Sequence, residues 1–415
     1  MDSPPPLNEK AGDWSDDARD AANPVVESAE WALKECNVVQ INDAGVAAAA
    51  SHIHARLVSE SYTPRTWRTH PLHLCPPEPY EASDPRILAA LHWLFFVSSL
   101  NFSFWSPREG QPDRYGVEWR TGWGRDDRTV WTGYWSLLAA VNRALEEGIP
   151  ITDPAFYVNE SLCPDSLLAH VFRPAERCAE PIPLLQERIS ILRQNGFILC
   201  AGFGGSFQGF IHEFHSRHGS AGTALQLVQM VTDTFPSFRD EVWLHGRRVV
   251  LWKRAQILAA ETWAAFYPAG RAQAHPLLPG GVGQLTMFAD YRVPQILHHL
   301  RILAYPAPLL QRLRARAPLA HGSREEVGIR VASVVAVERV RRAIGALRAA
   351  RAQGRRGERL EEDADGEDEE EEISSVLIDF YLWDVAKRLE RGEERMDGVQ
   401  TDEVVPAHRT RSIWY

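Results

Sequence analysis

Apolar positions along this chain recur mostly at three- and four-residue spacing, so the pattern predicts helices. Asn42 and Asp43 cap an alanine-rich helix to about Leu57, and Asp84 with Pro85 opens an apolar helix to about Leu100. From Pro183 to Asn195, Leu185, Ile189 and Leu192 share a face, with Asn195-Gly196 as the stop. Further helices are expected at residues 132–147, 221–234, 253–266, 290–304, 325–350 and 374–393.

Strand signals are fewer. Val117 to Gly122 and Thr129 to Trp131, aromatic and β-branched on either side of GRDD, predict one hairpin. EVWLHGRRVVL from Glu241 predicts a second, with His245-Gly246 at its turn. No internal repeat is visible, and nothing marks a domain boundary. The expected class is mainly α: a single compact helical domain over residues 25–415 with one or two small β-hairpins. Residues 1–24, polar and carrying Pro4 to Pro6, read as a disordered leader.

Charge refines that picture. The formal net charge is -10, but residues 361–372 (EEDADGEDEEEE) hold ten acids and no base. Without them 45 acids stand against 45 Lys plus Arg, so the folded part is close to neutral. A neutral body argues against stable binding of long nucleic acid, which asks for a basic face. The basic RRG residues followed by this acidic run read as a disordered charged loop at about 351–372, because IDFYLWDVAKR resumes a helical pattern afterwards.

Five cysteines, Cys36, Cys75, Cys163, Cys178 and Cys200, are dispersed without a CxxC pair. They read as reduced thiols, not as a disulfide frame or a metal site. His212, His215 and His218 sit at helical spacing without matching carboxylates and read as a polar face; no metal or other cofactor is expected. GFGGSF from Gly202 lacks the Lys-Ser/Thr ending of a P-loop and reads as tight turns near packed helices. The N-terminus has no apolar targeting segment, and the longest apolar run, Ile87 to Leu100, is too short to span a bilayer. A soluble, cytoplasmic protein is expected.

Candidate chemistry concentrates between Phe235 and Gln295. FPSFRDE, KRAQILAAETW and LTMFADYRVPQ crowd acids, bases and rings into apolar surroundings, where ionised groups are costly unless paired or used. Carboxylates, rings and cations are what a nucleotide pocket needs. Any one Asp-Arg dipeptide also fits an ordinary surface pair.

These motifs, with YVNESLCPDSL from Tyr157, GYWSLLAAVNRALEEGIPITDP from Gly133, LNFSFW from Leu100, IDFYLWDVAKR and the closing HRTRSIWY, resemble the queuosine salvage family. The similarity runs from about Val38 to Tyr415. A DNA-glycosylase-like arrangement is one form that such a helical domain takes. The resemblance implies a nucleotide N-ribohydrolase that cleaves queuosine 5'-phosphate into queuine and ribose 5-phosphate for reuse in tRNA modification. The alternatives are a glycosylase acting on a modified base in nucleic acid and a non-catalytic nucleobase-binding interaction protein. Oligomeric state is left open.

Cleaving the bond between ribose and base builds positive charge on the sugar and negative charge on the base. With the resemblance, Asp240 is the expected catalytic carboxylate, acting as nucleophile or electrostatic stabiliser, and Phe238 beside it is a ring that stacks on the base. Arg239 belongs to the same motif. Without the resemblance, a cap or an ion pair with Arg239 or Arg254 is the better reading of Asp240. Queuine is a 7-deazaguanine, so the ring position commonly protonated in purine hydrolases is a carbon. Donors such as Gln295, Asn101 and Arg292 then matter more than a lone His. Queuine also bears a cyclopentenediol on a protonated secondary amine, for which Asp290 is the expected partner; a helix-start acid is its bland reading. Lys253, Arg292 and Arg330 are the phosphate candidates, Lys253 first and Arg254 its rival. Asn101, Phe104, Trp105, Tyr134 and Trp135 are expected on the pocket wall or in the core. Where the family commonly shows EVEIR, this chain has Glu326-Val327-Gly328-Ile329-Arg330, which leaves Arg330 short of a usual acidic neighbour.

Overall fold

The computed structural model describes residues 23–219, 222–270, 273–358, 373–394 and 396–415. The expected leader therefore lies outside the described residues up to residue 22, and so does the acidic run.

Helices build the molecule. In chain order they span Pro24–Cys36, Asp43–Ser59, Pro85–Ser99, Tyr134–Glu146, Pro154–Val158, Asp165–Val171, Leu185–Gly202, Phe207–His218, Ala224–Thr234, Lys253–Ala265, Arg292–His299, Ala307–Arg314, Arg324–Glu358 and Ser375–Glu390. Their starts follow local chemistry. Asn23, Asn42 and Asp84 each accept a backbone N–H of the first turn through the side chain, with Pro24 and Pro85 at first helical positions. Ser206 caps the helix that follows GFGGSF, whose Gly204 and Gly205 take positive φ, so that motif is a helix-to-helix turn.

Both expected hairpins form. Gly116–Arg120 pairs antiparallel with Arg128–Thr132, and Glu241–Leu244 with Arg247–Val250 around His245-Gly246. A third two-stranded pairing, Gln40↔Ala304 and Ile41↔Leu303, was not expected. It takes residues from the end of the segment read as a helix over 290–304, which stops at His299 instead; Arg301 then turns with φ +61°.

Two other expectations change. The helix thought to stop at Asn195-Gly196 continues to Gly202, because both residues serve packing. Asn195 donates to Ser99 Oγ and accepts from Ser237 Oγ, and a Cβ on Gly196 would come 2.7 Å from the Tyr157 ring. The last long helix runs to Glu358, beyond the expected loop start at 351.

The helix Arg324–Glu358 packs against Pro24–Cys36, Asp43–Ser59, Arg292–His299 and Ser375–Glu390. The helix Lys253–Ala265 packs against Pro85–Ser99, Ala224–Thr234 and the 3-10 turn Pro64–Thr69. It is buried over nearly its whole length, yet it carries Lys253, Arg254, Gln256 and Glu261. A helix so enclosed is normally apolar all round. Each of its polar groups must therefore find a partner inside the protein.

Candidate active site

The polar groups of that buried helix divide into two sets. Arg254 and Gln256 are consumed by the fold. Arg254 donates to the carbonyls of Ser99 and Ser237, and its guanidinium lies 5.1 Å from the Phe102 ring centre and 5.0 Å from that of Phe238. Gln256 bonds Leu251 O and Thr286. Lys253 and Glu261 form the other set and, with Ile257 between them at four-residue spacing, line a cavity of about 280 Å³. That is near the lower end of the size of small-molecule sites.

Opposite lies a second helical stripe. Asp379, Trp383 and Lys387, with Phe380 and Asp384, line the cavity from the helix Ser375–Glu390. Phe288, Asp290, Tyr291 and Arg292 line it from the LTMFADYRVPQ segment. The start of the helix Tyr134–Glu146 adds Gly133, Tyr134 and Trp135, and the 3-10 turn region adds Trp67, His70 and His73. Trp135 stacks on His70 with centroids 3.6 Å apart and meets Trp383 edge-on at 5.2 Å. The result is an aromatic box with charges at its corners.

One corner holds Lys253 and two carboxylates. Lys253 Nζ donates to Asn101 O at 2.9 Å and to Asn101 Oδ1 at 3.2 Å. Burial pulls its pKa down to about 8, against the pull of Asp290. Asp290 accepts Arg292 N at 2.9 Å and Val293 N at 3.0 Å, both on Oδ1. It is thus a helix-start acid as well as a cavity group, and burial raises its pKa. Asp379 accepts Phe288 N at 2.9 Å; burial, then the neighbouring Asp290, hold its carboxyl well above the ordinary range.

A second corner is cationic. Lys387 lies 5.4 Å from the Trp383 ring centre, pairs with Glu390 at 2.9 Å and is lowered to about 8 by burial, then by Arg292. Its Nζ lies 3.9 Å from where a Cβ on Gly133 would stand. Gly133, φ +64°, is an N-cap without a side-chain bond; Ser136 N bonds Gly133 O at 3.0 Å, which leaves the Tyr134 and Trp135 amides of that helix start without a side-chain cap. Arg292 is held by Glu109 at 2.7 Å and Glu390 at 3.3 Å.

At the third corner Tyr134 donates to Glu261 Oε1 at 3.1 Å. Burial pushes the Glu261 carboxyl up to about 7. His70 and His73 are lowered by burial, His70 to about 4, so both rings are neutral at neutral pH.

Of the residues expected at the site, Asn101, Tyr134, Lys253, Asp290 and Arg292 come together on the cavity. Asp240, Phe238, Arg239, Gln295 and Trp105 are not among its lining residues. Asp240, expected at the anomeric carbon, is 1% exposed and held by Arg330, at 3.0 Å to Oδ1 and 2.5 Å to Oδ2, with Lys253 N on Oδ2 at 3.2 Å. Phe238 packs with Phe95 and Phe235 in the core. The exposed Arg239 donates to Thr232 O and Asp233 O, Gln295 to Val405 O, and Trp105 to Thr410 O beneath Arg411. Arg330 also meets Glu326 at 3.5 Å, so the EVGIR segment does not leave it short of acids. Its bonds to Asp240 and Ala289 O tie it to the fold, and it is not among the cavity's lining residues.

Sequence reasoning missed Glu261, Asp379, Trp383 and Lys387. The available signal was the recurrence of charged and aromatic residues at i, i+4 spacing along one face of a helix: Lys253, Ile257 and Glu261, and Asp379, Trp383 and Lys387. No helix among the described residues is long and apolar enough to cross a membrane.

Comparison with known proteins is consistent across sources. The family model described as queuosine salvage protein matches residues 81–415. A Schizosaccharomyces pombe protein named queuosine 5'-phosphate N-glycosylase/hydrolase is 36% identical over 397 residues, 94% of this chain and 99% of its own. Proteins of the same name from Mus musculus and Sphaerobacter thermophilus are 38% and 35% identical, covering 79% and 92% of this chain and 82% and 95% of their own.

Proposed function

The chain belongs to the queuosine salvage protein family, and on that premise we propose that it hydrolyses the N-glycosidic bond of queuosine 5'-phosphate. Water adds at C1' of the ribose, the C1'–N bond breaks with its electron pair leaving on the base, the proton given up by the water ends on that nitrogen, and queuine and ribose 5-phosphate result.

The observation that carries this reading is the corner where Lys253, Asp290 and Asp379 meet inside an aromatic box. Asp290 takes the role first expected of Asp240. Both of its accepted amides fall on Oδ1, leaving Oδ2 without a hydrogen-bond partner among the described residues. In our reading Oδ2 faces the anomeric carbon as charge develops there. Burial raises the Asp290 pKa, and Lys253 works against that rise in favour of the charged form. Asp379, whose burial favours the neutral acid, donates a hydrogen bond to a ribose hydroxyl. The neutral His70 and His73 supply no proton to the leaving base, in keeping with a deazapurine whose usual protonation site is carbon. Tyr134, Trp135, Phe288 and Trp383 hold the flat heterocycle.

Lys387, with Arg292 and the uncapped Tyr134 and Trp135 amides of the helix start at Gly133, holds the 5'-phosphate. A dianion there offsets the burial, and then the Arg292 repulsion, that lower Lys387. The test is incubation of the purified chain with queuosine 5'-phosphate and chromatography for free queuine. Appearance of queuine with an equal amount of ribose 5-phosphate is expected; tight binding without base release would sink the hydrolase reading.

A further inference from the structure

Glu261 has no part in the chemistry assigned above. It lines the cavity and is 6% exposed. Two helical turns separate it from Lys253 on the same stripe, about 12 Å along the axis. Tyr134 occupies Oε1, while Oε2 is buried without a hydrogen bond of good geometry; the nearest donor is the Trp67 indole N–H, itself unbonded, which acts on the carboxylate and lowers its pKa. No Lys or Arg forms an ion pair with it among the described residues; the cation that acts on it is Lys253, further along the helix. A buried carboxylate with an open oxygen and no paired cation is costly. Such a group suits a ligand that brings the missing charge. Trp67, Tyr134 and Trp135 line the same cavity, and a carboxylate among aromatic rings is the surrounding that recognises an ammonium.

We propose that Glu261 is the specificity residue for the side chain of the base, accepting through Oε2 a hydrogen bond from the protonated secondary amine of queuine. The proposal rests on the queuosine 5'-phosphate reading and adds to it how this base is told from plain deazaguanine. The rival target within the same ligand is the flat edge bearing N1–H and the 2-amino group. Two parallel donors need both carboxylate oxygens side by side, and Oε1 is engaged by Tyr134. The single open oxygen fits one charged N–H.

The test compares two substrates in two proteins: queuosine 5'-phosphate and 7-deazaguanosine 5'-phosphate, which lacks the amine arm, with wild type and Glu261→Gln. The ratio of their kcat/KM values should fall in the variant by on the order of 10- to 100-fold, the size of one lost charge-assisted hydrogen bond. An unchanged ratio, whether both substrates suffer equally or neither does, overturns the proposal; equal loss assigns Glu261 to the purine edge instead. Calorimetric binding of free queuine and free 7-deazaguanine gives a readout that needs no turnover. There too the variant should lose its preference for queuine, and a retained preference overturns the proposal. A wild type that releases no base from either nucleotide sinks the hydrolase reading alone, and the binding ratio still decides the role of Glu261. Binding of 7-deazaguanine by the variant shows in the same experiment that its pocket is folded.

Discussion

Arg330 grips both carboxylate oxygens of Asp240, and the two side chains are almost fully removed from solvent, at 0% and 1% exposure. Breaking one half of such a pair leaves the other buried and uncompensated, which costs about 3–5 kcal/mol. Asp240→Asn should therefore lower unfolding free energy by that order in urea denaturation. A variant of normal stability that no longer turns over would return Asp240 to the chemistry.

Asp290→Asn should behave in the opposite way. Asn is as good a cap as Asp, and its side-chain oxygen can still accept Arg292 N and Val293 N. Removing a charge that burial disfavours offsets part of the attraction that buried Lys253 loses, so stability should fall far less than in Asp240→Asn. Base release should fall by on the order of 10³-fold in kcat, as expected when a group that stabilises transition-state charge is lost. Single-turnover assays beside thermal unfolding separate the two effects; a variant with near-normal kcat rules Asp290 out.

The contrast between Asp240 and Asp290 shows how far the sequence could be read. Motifs marked the dense region, and capping chemistry marked the helix starts after Asn42 and Asp84, since both act through neighbours two residues away. Which acid faces a cavity is decided by distant chain. Asp240 meets Arg330 across 90 residues, a pairing with no local signature. The strand pairing of Gln40–Ile41 with Leu303–Ala304 was illegible for the same reason. Asn195-Gly196 misled because the stop signal and close helix packing use the same small or polar residues. Glu261 and Lys387 were hidden differently. Each shares its helix with other charged residues, so helical spacing alone does not say which of them faces a cavity.

Lys387→Met should show itself through the phosphate. The substitution removes a cation beside the helix start at Gly133 but keeps an apolar stem over Trp383. The preference for queuosine 5'-phosphate over the nucleoside queuosine, measured as a kcat/KM ratio, should fall by about 10- to 100-fold. An unaltered preference would move the phosphate elsewhere on the cavity wall.

Glu261 makes stability depend on pH in a direction that can be worked out. Its carboxyl is raised from 4.5 to about 7 by burial. Between those values the folded protein holds a proton that the unfolded chain has lost, so stability declines as pH rises through this window. The shift corresponds to roughly 3 kcal/mol, present in full below pH 4.5 and lost above about 7. Glu261→Gln does not titrate and lacks this decline. The variant should therefore gain on wild type as pH rises from 5 to 8 in urea denaturation, the difference isolating Glu261 from Lys253 and Asp290. Free queuine supplies the absent cation, so it should stabilise wild type more at pH 8 than at pH 5, and the variant by a smaller margin. Parallel stability curves for the two proteins would mean that Glu261 stays charged without a ligand, and would remove its burial cost from the account.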